Sequence, residues 1–319
     1  MSTTRSLTGK VAIVSGGGRN IGRAEALLFA QQGAKVVVND LGGGGTGGGA
    51  DESVAQAVVE EIRSAGGEAV AETSSVASIA GGQALIDAAM SAFGRIDILS
   101  NNAGVVRPRR IEAMTEKDWE TLHDVTLKGY FATIRAAAPI LIRQRCGVII
   151  NKGSASGFGH YGMANYAAAK EGVIGLTGSV ARELGEHGVR CNSIRPLASL
   201  SLMGTPELFG LLKHVQEDLG VPALWNRMMA GSPVPLRAEN VAALTVWLCM
   251  EGAKDVNGRD FFIAGGEIGI FPEPELLRAA FNPQRWDLDS LCDPSKTQYL
   301  IGDARKRFCG GRRIHRGSA

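Results

Sequence analysis

The chain has 319 residues, 45 % of them hydrophobic, and a formal net charge of +2. This length allows one large domain, alone or with an appendage, and the apolar content is ample for a core. The near-neutral charge gives no reason to expect a nucleic-acid partner, no run approaches the roughly 20 apolar residues that a membrane helix needs, and the first ten residues lack the apolar centre of a signal peptide.

The first elements along the chain are a strand, a glycine-rich turn, a helix and a second strand. The apolar run from Val11 to Val14 predicts a buried parallel strand, and the helix pattern after the turn stops at Gly33. The second strand ends in Asp40, 18 residues after Gly22, where a carboxylate can accept hydrogen bonds from an adenosine ribose. We therefore predict a dinucleotide site, with a tight turn and nothing more as the alternative. The predicted contacts within the turn are Gly16, Arg19, Asn20, Ile21 and Gly22.

Just past Asp40 the chain carries the sequence Gly-Gly-Gly-Gly-Thr-Gly-Gly-Gly, from Gly42 to Gly49. Such a composition is typical of a flexible segment. One interpretation is a spacer without contacts, and the other is a mobile flap beside the adenosine ribose.

The remainder of the chain alternates predicted strands and helices without an internal repeat. Strands are predicted near residues 11–15, 35–39, 68–72, 96–100, 148–152, 189–194 and 260–264, and long helices near 119–144, 164–186 and 239–250. This order predicts an α/β fold in which a doubly wound, seven-stranded, mainly parallel Rossmann-type sheet is followed by a C-terminal extension.

The most specific chemical pattern is Tyr166-Ala-Ala-Ala-Lys170, preceded by Ser154 in Gly-Ser-Ala-Ser-Gly. A Tyr and a Lys four residues apart lie on one face of a helix. A cationic amine beside a phenol is expected to lower the pKa of the phenol, which suits it to give or take a proton. We therefore predict that Tyr166 is an acid/base residue.

These motifs together resemble the short-chain dehydrogenase/reductase family. The matching segments are Ser15 to Gly22, Asn101-Asn-Ala-Gly104, the trio Ser154, Tyr166 and Lys170, and Val256-Asn-Gly258, and they cover roughly residues 9 to 269. The phrase Val38-Asn-Asp-Leu-Gly-Gly43 and the segment at Trp247 are most similar to the (3R)-hydroxyacyl-CoA dehydrogenase unit of peroxisomal multifunctional enzymes type 2 and to bacterial steroid and acyl-CoA dehydrogenases.

The resemblance implies further roles and exposes three departures. Thr126 takes the place of an Asn that holds a water in a proton relay, Leu200 takes the place of a Thr that binds the nicotinamide amide, and Ser75-Val76 replaces Asp-Val near the adenine. The remaining contacts that the resemblance implies for the cofactor are Asn102, Ala103, Gly104, Tyr166, Lys170 and Pro196. Ser154 is implied to stabilise the alkoxide-like oxygen, and Lys170 to tune Tyr166 and bind the nicotinamide ribose.

The cofactor is predicted to be NAD, since Asp40 would repel the 2′-phosphate of NADP, whereas Arg19 could pair with that phosphate. The predicted function is oxidation of a secondary alcohol, or the reverse reduction of a ketone, on a hydroxyacyl-CoA or hydroxysteroid. The alternatives are an NADPH-dependent 3-oxoacyl reductase and a non-catalytic dinucleotide-binding protein. The five cysteines form no metal-binding pattern, so no metal is predicted and a cytoplasmic location with reduced thiols is expected.

Two domains are predicted, a dehydrogenase domain over residues 1–269 and an extension over 270–319. Apolar residues between 270 and 290 are expected to be buried, and the basic end from residue 304 is either a solvated tail or a contact for CoA phosphates. The basic run from Arg107 to Arg110 is either a solvated loop or a substrate-phosphate site. The resemblance also implies a homodimer or homotetramer built on the helices near 119–144 and 164–186.

Overall fold

The computed structural model describes residues 6–198, 234–276, 278–283 and 285–301. Within these ranges the strands are β1 (Val11–Ser15), β2 (Lys35–Asn39), β3 (Ala69–Glu72), β4 (Ile98–Asn101), β5 (Gly147–Lys152), β6 (Val189–Leu197), β7 (Asp260–Ala264) and β8 (Glu267–Ile270). The α-helices are α1 (Asn20–Gln31), α2 (Ser53–Ser64), α3 (Ile79–Phe93), α4 (Glu116–His123), α5 (Gly129–Gln144), α6 (Ala164–Gly185), α7 (Ala238–Leu248), α8 (Leu288–Cys292) and α9 (Pro294–Ile301).

The strands form one sheet in the order β3-β2-β1-β4-β5-β6-β7-β8, with β1 to β7 parallel. The predicted doubly wound, mainly parallel fold is therefore confirmed. The predicted number of seven strands is one too few, because β8 folds back on β7 in an antiparallel pairing. The short turn Gly265-Gly266 makes this hairpin possible, since Gly265 adopts a positive φ of 56°.

Alternate side chains of the strands pack on opposite faces of the sheet. Ile13 of β1 lies in a core cluster with Leu85 of α3 and residues of α5 and α6. Its neighbour Val14 lies in a second cluster with Phe29 of α1 and residues of α2. Since both faces of the sheet are covered by helices, every residue of β1 is buried, and its first four residues form an unbroken apolar run.

A continuous helical stretch, Glu116–Gln144, joins α4 and α5 through a π-helical turn, Asp124–Lys128. By length and composition this stretch could cross a membrane, which differs from the expectation based on apolar runs. Half of its most apolar window is buried inside the protein, as in the core helices of globular proteins.

The chain order of the strands reverses between β1 and β4. The chain runs outward from β1 to β3 and then crosses to β4 on the other side of β1. The carboxyl ends of β1 and β4, Ser15 and Asn101, consequently lie side by side in register. In open parallel sheets a crevice opens at such a reversal and receives the ligand.

The expected burial of the apolar residues after β8 is wrong for three of those that the structure describes. Leu276, Phe281 and Trp286 are 86 %, 88 % and 37 % exposed, whereas Phe271 packs against the edge of the sheet. Residues 271–276, 278–283 and 285–287 form no helix or strand, so they present no continuous apolar face to the sheet. Leu277 and the basic end from residue 304 lie outside the described residues, as does the proposal about CoA phosphates there. The domain boundary at 269/270 stays a prediction.

Candidate active site

A cavity of about 360 Å³ opens at the reversal point between β1 and β4. The predicted cofactor contacts that line it are Gly16, Arg19, Asn20, Ile21, Asp40, Ser75, Val76, Asn102, Ala103 and Gly104. Gly22, Tyr166, Lys170 and Pro196 lie outside this lining. Residues from four separate segments therefore meet in one crevice, although they are far apart in the sequence.

At Gly16 and Gly22 the glycine turn packs so closely on its neighbours that no side chain fits. A Cβ atom on Gly22 would overlap the carbonyl oxygen of Gly16, and one on Gly16 would come within 2.8 Å of Ala103 Cα. Gly16 also adopts a positive φ of 62°, which disfavours other residues. Asn20, which stands where the family pattern has a glycine, adopts a positive φ of 45°, and Asn tolerates that region better than most residues. A backbone cradle of this kind, opening onto the N-terminus of α1, fits a pyrophosphate.

Ser15 and Asn102 join the glycine turn to the end of β4. The Ser15 hydroxyl accepts hydrogen bonds from Asn102 N at 3.1 Å and Ala103 N at 3.2 Å. The Asn102 amide donates to the carbonyl oxygens of Ser15 and Gly16. These bonds hold two walls of the crevice in a fixed relation, which explains why a hydroxyl residue suits position 15.

Asp40 and Arg19, the two residues that compete over cofactor choice, are both held by backbone groups. Asp40 accepts hydrogen bonds from Gly18 N at 2.9 Å and Gly42 N at 2.8 Å. Arg19 donates to the carbonyl oxygens of Gly43 at 2.8 Å and Gly42 at 3.3 Å. The carboxylate therefore stays at the end of β2, while the guanidinium is committed to the glycine-rich segment.

The glycine-rich segment from Gly42 to Gly49 is not a spacer without contacts. Gly45 O accepts a hydrogen bond from Val106 N at 2.9 Å, and Thr46 O accepts one from Arg107 Nε at 2.8 Å. Several of its glycines line the cavity. We call residues 42–49 the flap. Arg107 also forms an ion pair with Asp118, so this residue of the basic run anchors the flap to α4.

Ser154, Tyr166 and Lys170 lie together beside the inner end of the cavity. Tyr166 and Lys170 are buried on α6, and the Lys170 amine lies 5.6 Å from the centre of the Tyr166 ring. Tyr166 forms a side-chain hydrogen bond with Ser154. Lys170 Nζ donates to Lys152 O at 2.7 Å, and a Cβ atom on Gly104 would lie 3.9 Å from that amine. The trio is thereby continuous with the cavity wall.

The expected lowering of the Tyr166 pKa by Lys170 is wrong in this structure. Burial raises the pKa of Tyr166 to about 12, and its hydrogen bond with Ser154 only partly opposes this effect. Burial, assisted by the positive charge of Lys152, lowers the pKa of Lys170 to about 7. A buried site disfavours the phenolate and the ammonium alike, so at neutral pH Lys170 carries its charge in only about half of the molecules and has less effect on Tyr166.

Thr126 lies within the π-helical turn and is fully buried. Among the described residues, Thr126 Oγ1 and Tyr130 OH are the buried side-chain atoms without a hydrogen-bond partner. The Tyr130 ring lies 5.4 Å from the Lys170 amine, which places this helix next to the trio. An unpaired buried hydroxyl is costly, so the orphaned Thr126 Oγ1 suits the binding of a water.

Two buried charged residues beneath the trio were not predicted from the sequence. Glu25 of α1 and Lys152 of β5 form an ion pair at 2.8 Å, with exposures of 0 % and 3 %. Ser100 Oγ donates to Glu25 at 2.7 Å, and Thr245 Oγ1 donates to it at 2.8 Å. The sequence contained a usable signal, since Lys152 ends an apolar strand. Lysines are almost never buried without a partner, so this position predicts a buried acidic partner.

A third buried charge was also missed, Arg195 near the end of β6. It forms ion pairs with Glu171 of α6 and Asp260 of β7, and its side chain is 2 % exposed. The sequence signal for it was an arginine at the end of the predicted strand, directly before Pro196, which indicates a buried cation that needs acidic partners. Leu200, the counterpart of the nicotinamide-binding Thr, and the segment after it to residue 233 lie outside the described residues.

Comparison with known proteins identifies the family. The model of the short chain dehydrogenase family matches residues 10–206, so the chain belongs to that family, which comprises oxidoreductases that act on CH–OH groups and bind NAD(P). A crystal structure of a short chain dehydrogenase from Mycobacterium avium is 38 % identical, covers 90 % of this chain and 93 % of its own, and superposes with a TM-score of 0.74.

Curated relatives refine this placement. Peroxisomal multifunctional enzyme type 2 is 43 % identical over 259 residues in Drosophila melanogaster and 40 % identical over 270 residues in Mus musculus. These matches cover 81 % and 84 % of this chain but only 39 % and 33 % of those proteins. A 3-oxoacyl-[acyl-carrier-protein] reductase from Staphylococcus aureus is 35 % identical, over 81 % of this chain and 97 % of its own. The recognised likeness to the dehydrogenase unit of the multifunctional enzymes is confirmed.

Proposed function

We propose that the protein is an NAD-dependent dehydrogenase that oxidises a secondary alcohol, or reduces the corresponding ketone, on an acyl-CoA or steroid-type substrate. The observation that carries this proposal is the trio Ser154, Tyr166 and Lys170, in which Tyr166 and Lys170 are buried and Lys170 lies against Gly104 of the crevice wall. A non-catalytic dinucleotide-binding protein would have no need for a buried phenol and a buried amine, each of which costs free energy to desolvate.

The residues of the crevice fit the dinucleotide that the family binds. The glycine turn and the N-terminus of α1 would hold the pyrophosphate, and Asp40 would accept hydrogen bonds from the adenosine ribose. Ser75 and Val76 would line the adenine end, since both face the cavity. Bound NAD supplies the chemistry of hydride acceptance, and the protein contributes position and proton transfer.

Tyr166 exchanges the proton in this mechanism. The raised pKa keeps the phenol protonated at neutral pH, which is the state that donates a proton during ketone reduction. In oxidation, Tyr166 takes the alcohol proton as its own phenol proton passes on toward Lys170, and Ser154 assists by hydrogen-bonding the reacting oxygen of the substrate. Ser154 Oγ already accepts from Ser156 N at 3.1 Å, which holds this hydroxyl in place.

Lys170 and Thr126 would carry protons away from Tyr166. Lys170 uses one N–H group on Lys152 O, which leaves others for the nicotinamide ribose and for a water. Thr126 Oγ1 would hold that water, in the role the family assigns to an Asn. The lowered pKa of Lys170, about 7, suits an amine that releases and regains a proton near neutrality.

The preference for NAD rests on the end of β2. Asp40 is fixed there by two backbone amides, so it cannot turn away from a 2′-phosphate, whereas Arg19 is occupied by two carbonyl oxygens. A fixed carboxylate beside a phosphate is a repulsive element. The second candidate is an NADPH-dependent reductase of 3-oxoacyl thioesters. Its support is the similarity to the Staphylococcus aureus protein, which is named as a 3-oxoacyl-[acyl-carrier-protein] reductase.

The substrate class is tested with a panel of 3-hydroxyacyl-CoA esters, hydroxysteroids and simple secondary alcohols, each with NAD and with NADP. The proposal expects the highest kcat/KM with NAD and with one of the first two classes. A higher kcat/KM for NADPH-linked ketone reduction would replace it with the second candidate.

The chemistry is tested with Tyr166→Phe, which keeps the ring and removes the titrating hydroxyl. A positioned acid/base contributes about 10²–10⁴-fold, so kcat should fall by at least that lower factor while the affinity for NAD changes little. Tyr299→Phe is the matched control, because Tyr299 is 64 % exposed and lies on α9. Retention of more than about a tenth of the activity by Tyr166→Phe would contradict the assignment.

A further inference from the structure

Arg195 is a buried charge that the mechanism above does not use. Its Nε donates to Asp260 at 2.6 Å, and its two terminal nitrogens donate to Glu171 at 2.8 and 3.1 Å. Its side chain is 2 % exposed. Burying a guanidinium is costly unless it is paired, so the two carboxylates are needed to keep Arg195 in this position.

The turn that carries Ser154 is folded around this side chain. Arg195 Nη1 donates to the carbonyl oxygen of Ser154 at 2.9 Å. A Cβ atom on Gly153 would lie 3.3 Å from Arg195 Cγ, and one on Gly157 would collide with the Glu171 carboxylate and lie 3.0 Å from Arg195 Nη1. Gly157 thus lies directly against the Arg195–Glu171 pair, and Gly153 lies between Ile174 and Arg195, so the turn passes close to the Arg195 side chain at both ends.

The same guanidinium connects this turn to the helix of Tyr166. Glu171 follows Lys170 directly on α6 and receives two hydrogen bonds from Arg195, a bidentate pairing that fixes orientation as well as distance. Asp260 on β7 holds the opposite side of the guanidinium and also accepts from Ser193 Oγ at 2.8 Å. One side chain thus relates the position of Ser154 to the position of α6.

Two aromatic rings cover the guanidinium. Its central carbon lies 4.2 Å from the centre of the Phe158 ring and 5.2 Å from that of Phe271, and the two rings meet edge to face at 5.0 Å. Phe158 closes the short helical turn after Ser154, and Phe271 follows β8. The rings cover the guanidinium itself and keep water from it, while the Glu171 side chain stays 45 % exposed.

We propose that Arg195 is a positioning residue, which sets Ser154 relative to Tyr166 by clamping the Gly153–Gly157 turn to α6. The proposal rests on the proposed function, since it acts through Ser154. A displacement of about 1 Å in a reacting group can cost about 10²-fold in rate. Loss of the clamp should therefore lower the rate of hydride transfer and leave the affinity for NAD unchanged, since Arg195 lies outside the lining of the dinucleotide cavity.

The test is a double-mutant cycle between Arg195→Met and Ser154→Ala, followed by single-turnover hydride transfer with saturating NAD. If Arg195 acts through Ser154, Arg195→Met lowers the rate at least tenfold in the natural background and less than about twofold in the Ser154→Ala background. Arg190→Met is the matched control on the same strand. Arg190 is also partly buried and donates to carbonyl oxygens, of Val256 and Leu248, at the opposite end of β6, so its loss should leave the rate unchanged.

Equal losses from Arg195→Met in both backgrounds, or no loss in either, would overturn the proposal. If Arg195→Met does not fold, Glu171→Gln replaces it in the cycle, because the Glu171 side chain is 45 % exposed and its loss leaves Arg195 paired with Asp260. Glu171→Gln should then lower the rate of hydride transfer by a smaller factor in the natural background, and again have little effect in the Ser154→Ala background. Failure of the proposed function is distinct, since natural protein and Tyr166→Phe would then transfer hydride equally well or not at all.

Discussion

At the scale of single residues, burial decides the charge state of the trio. Tyr166 and Lys170 are both enclosed by protein, and burial favours the neutral form of each side chain. It raises the pKa of the phenol and lowers the pKa of the amine. A Tyr-x-x-x-Lys pattern on an exposed helix would favour the opposite shift for the phenol. The pattern thus identifies the residues, while their protonation depends on how deeply the fold encloses them.

The lowered pKa of Lys170 makes folding stability depend on pH. Below about pH 7 both the folded and the unfolded chain hold the proton, and the folded protein bears the full cost of a buried charge. Between that pH and the usual lysine value of 10.5, only the unfolded chain holds it, so the free energy of unfolding rises with pH, by at most about 1.4 kcal/mol per pH unit. Above pH 10 the raised pKa of Tyr166 acts in the opposite direction, since the unfolded chain then loses a phenol proton that the folded protein keeps.

We therefore predict that Lys170→Met flattens the rise in unfolding free energy from neutral pH to the onset of Tyr166 titration. The measurement is urea denaturation at several pH values, with the slope m held comparable between variants. Lys254→Met serves as the control, because the Lys254 side chain is 63 % exposed. A pH profile of Lys170→Met that parallels the natural protein would show that this amine is not buried in its charged form at low pH.

The Glu25–Lys152 pair gives a second prediction at this scale. Replacing one member by an isosteric neutral residue leaves the other charge buried without a partner, which typically costs about 3–5 kcal/mol. Glu25→Gln and Lys152→Met should therefore each destabilise strongly, whereas the double variant should recover part of the loss. Thermal or urea unfolding of all four proteins gives the coupling, and simple additivity of the two single losses would argue against a charged pair.

At the scale of elements, local patterns predicted more than long-range contacts. The β1–turn–α1–β2 unit was predictable because an apolar run, a glycine turn and a terminal acid are all local in sequence. The hairpin of β7 and β8 was not, since Glu267–Ile270 has only four residues, and its two isoleucines are too few to distinguish a strand from a loop. Arg195 and Lys152 were visible as charges in apolar strands, but their partners Glu171, Asp260 and Glu25 are set by topology, which no local pattern encodes.

The end of β2 and the flap act together as one element. Asp40 bonds both Gly18 N and Gly42 N, so removing its carboxylate frees the glycine turn and the flap as well as the charge. We predict that Asp40→Ala weakens NAD binding and improves the ratio of NADP to NAD in kcat/KM. Asp87→Ala is the control, because Asp87 is an exposed acid on α3 that accepts a hydrogen bond from Gln83 of the same helix. A natural protein that already prefers NADP would mean that Arg19, despite its bonds to the flap, determines cofactor choice.

At the scale of the whole molecule, we predict that the exposed sides of α4, α5 and α6 form the face that meets a second copy of the chain. Trp119 of α4 and Phe131 of α5 are 41 % and 46 % exposed. The outward side of α6 carries small residues, and a Cβ atom on Gly175 would meet nothing within 4 Å. Small residues allow helices to approach closely, and a two-fold axis requires a self-complementary patch. This face is where we predict the homodimer, or the pairing within a homotetramer, to form.

Gly175→Arg tests this prediction without disturbing the subunit. The open space at Gly175 accepts a side chain, and arginine favours a helix over glycine by up to about 1 kcal/mol, so the folded monomer should be at least as stable. Two copies of a long cationic side chain at a two-fold axis would repel each other, so light scattering should report a smaller assembly at micromolar concentration. Ala57→Arg on the exposed side of α2 should leave the assembly unchanged. If Gly175→Arg retains the natural assembly, or if the natural protein is itself a stable monomer, the face of α6 is not the interface.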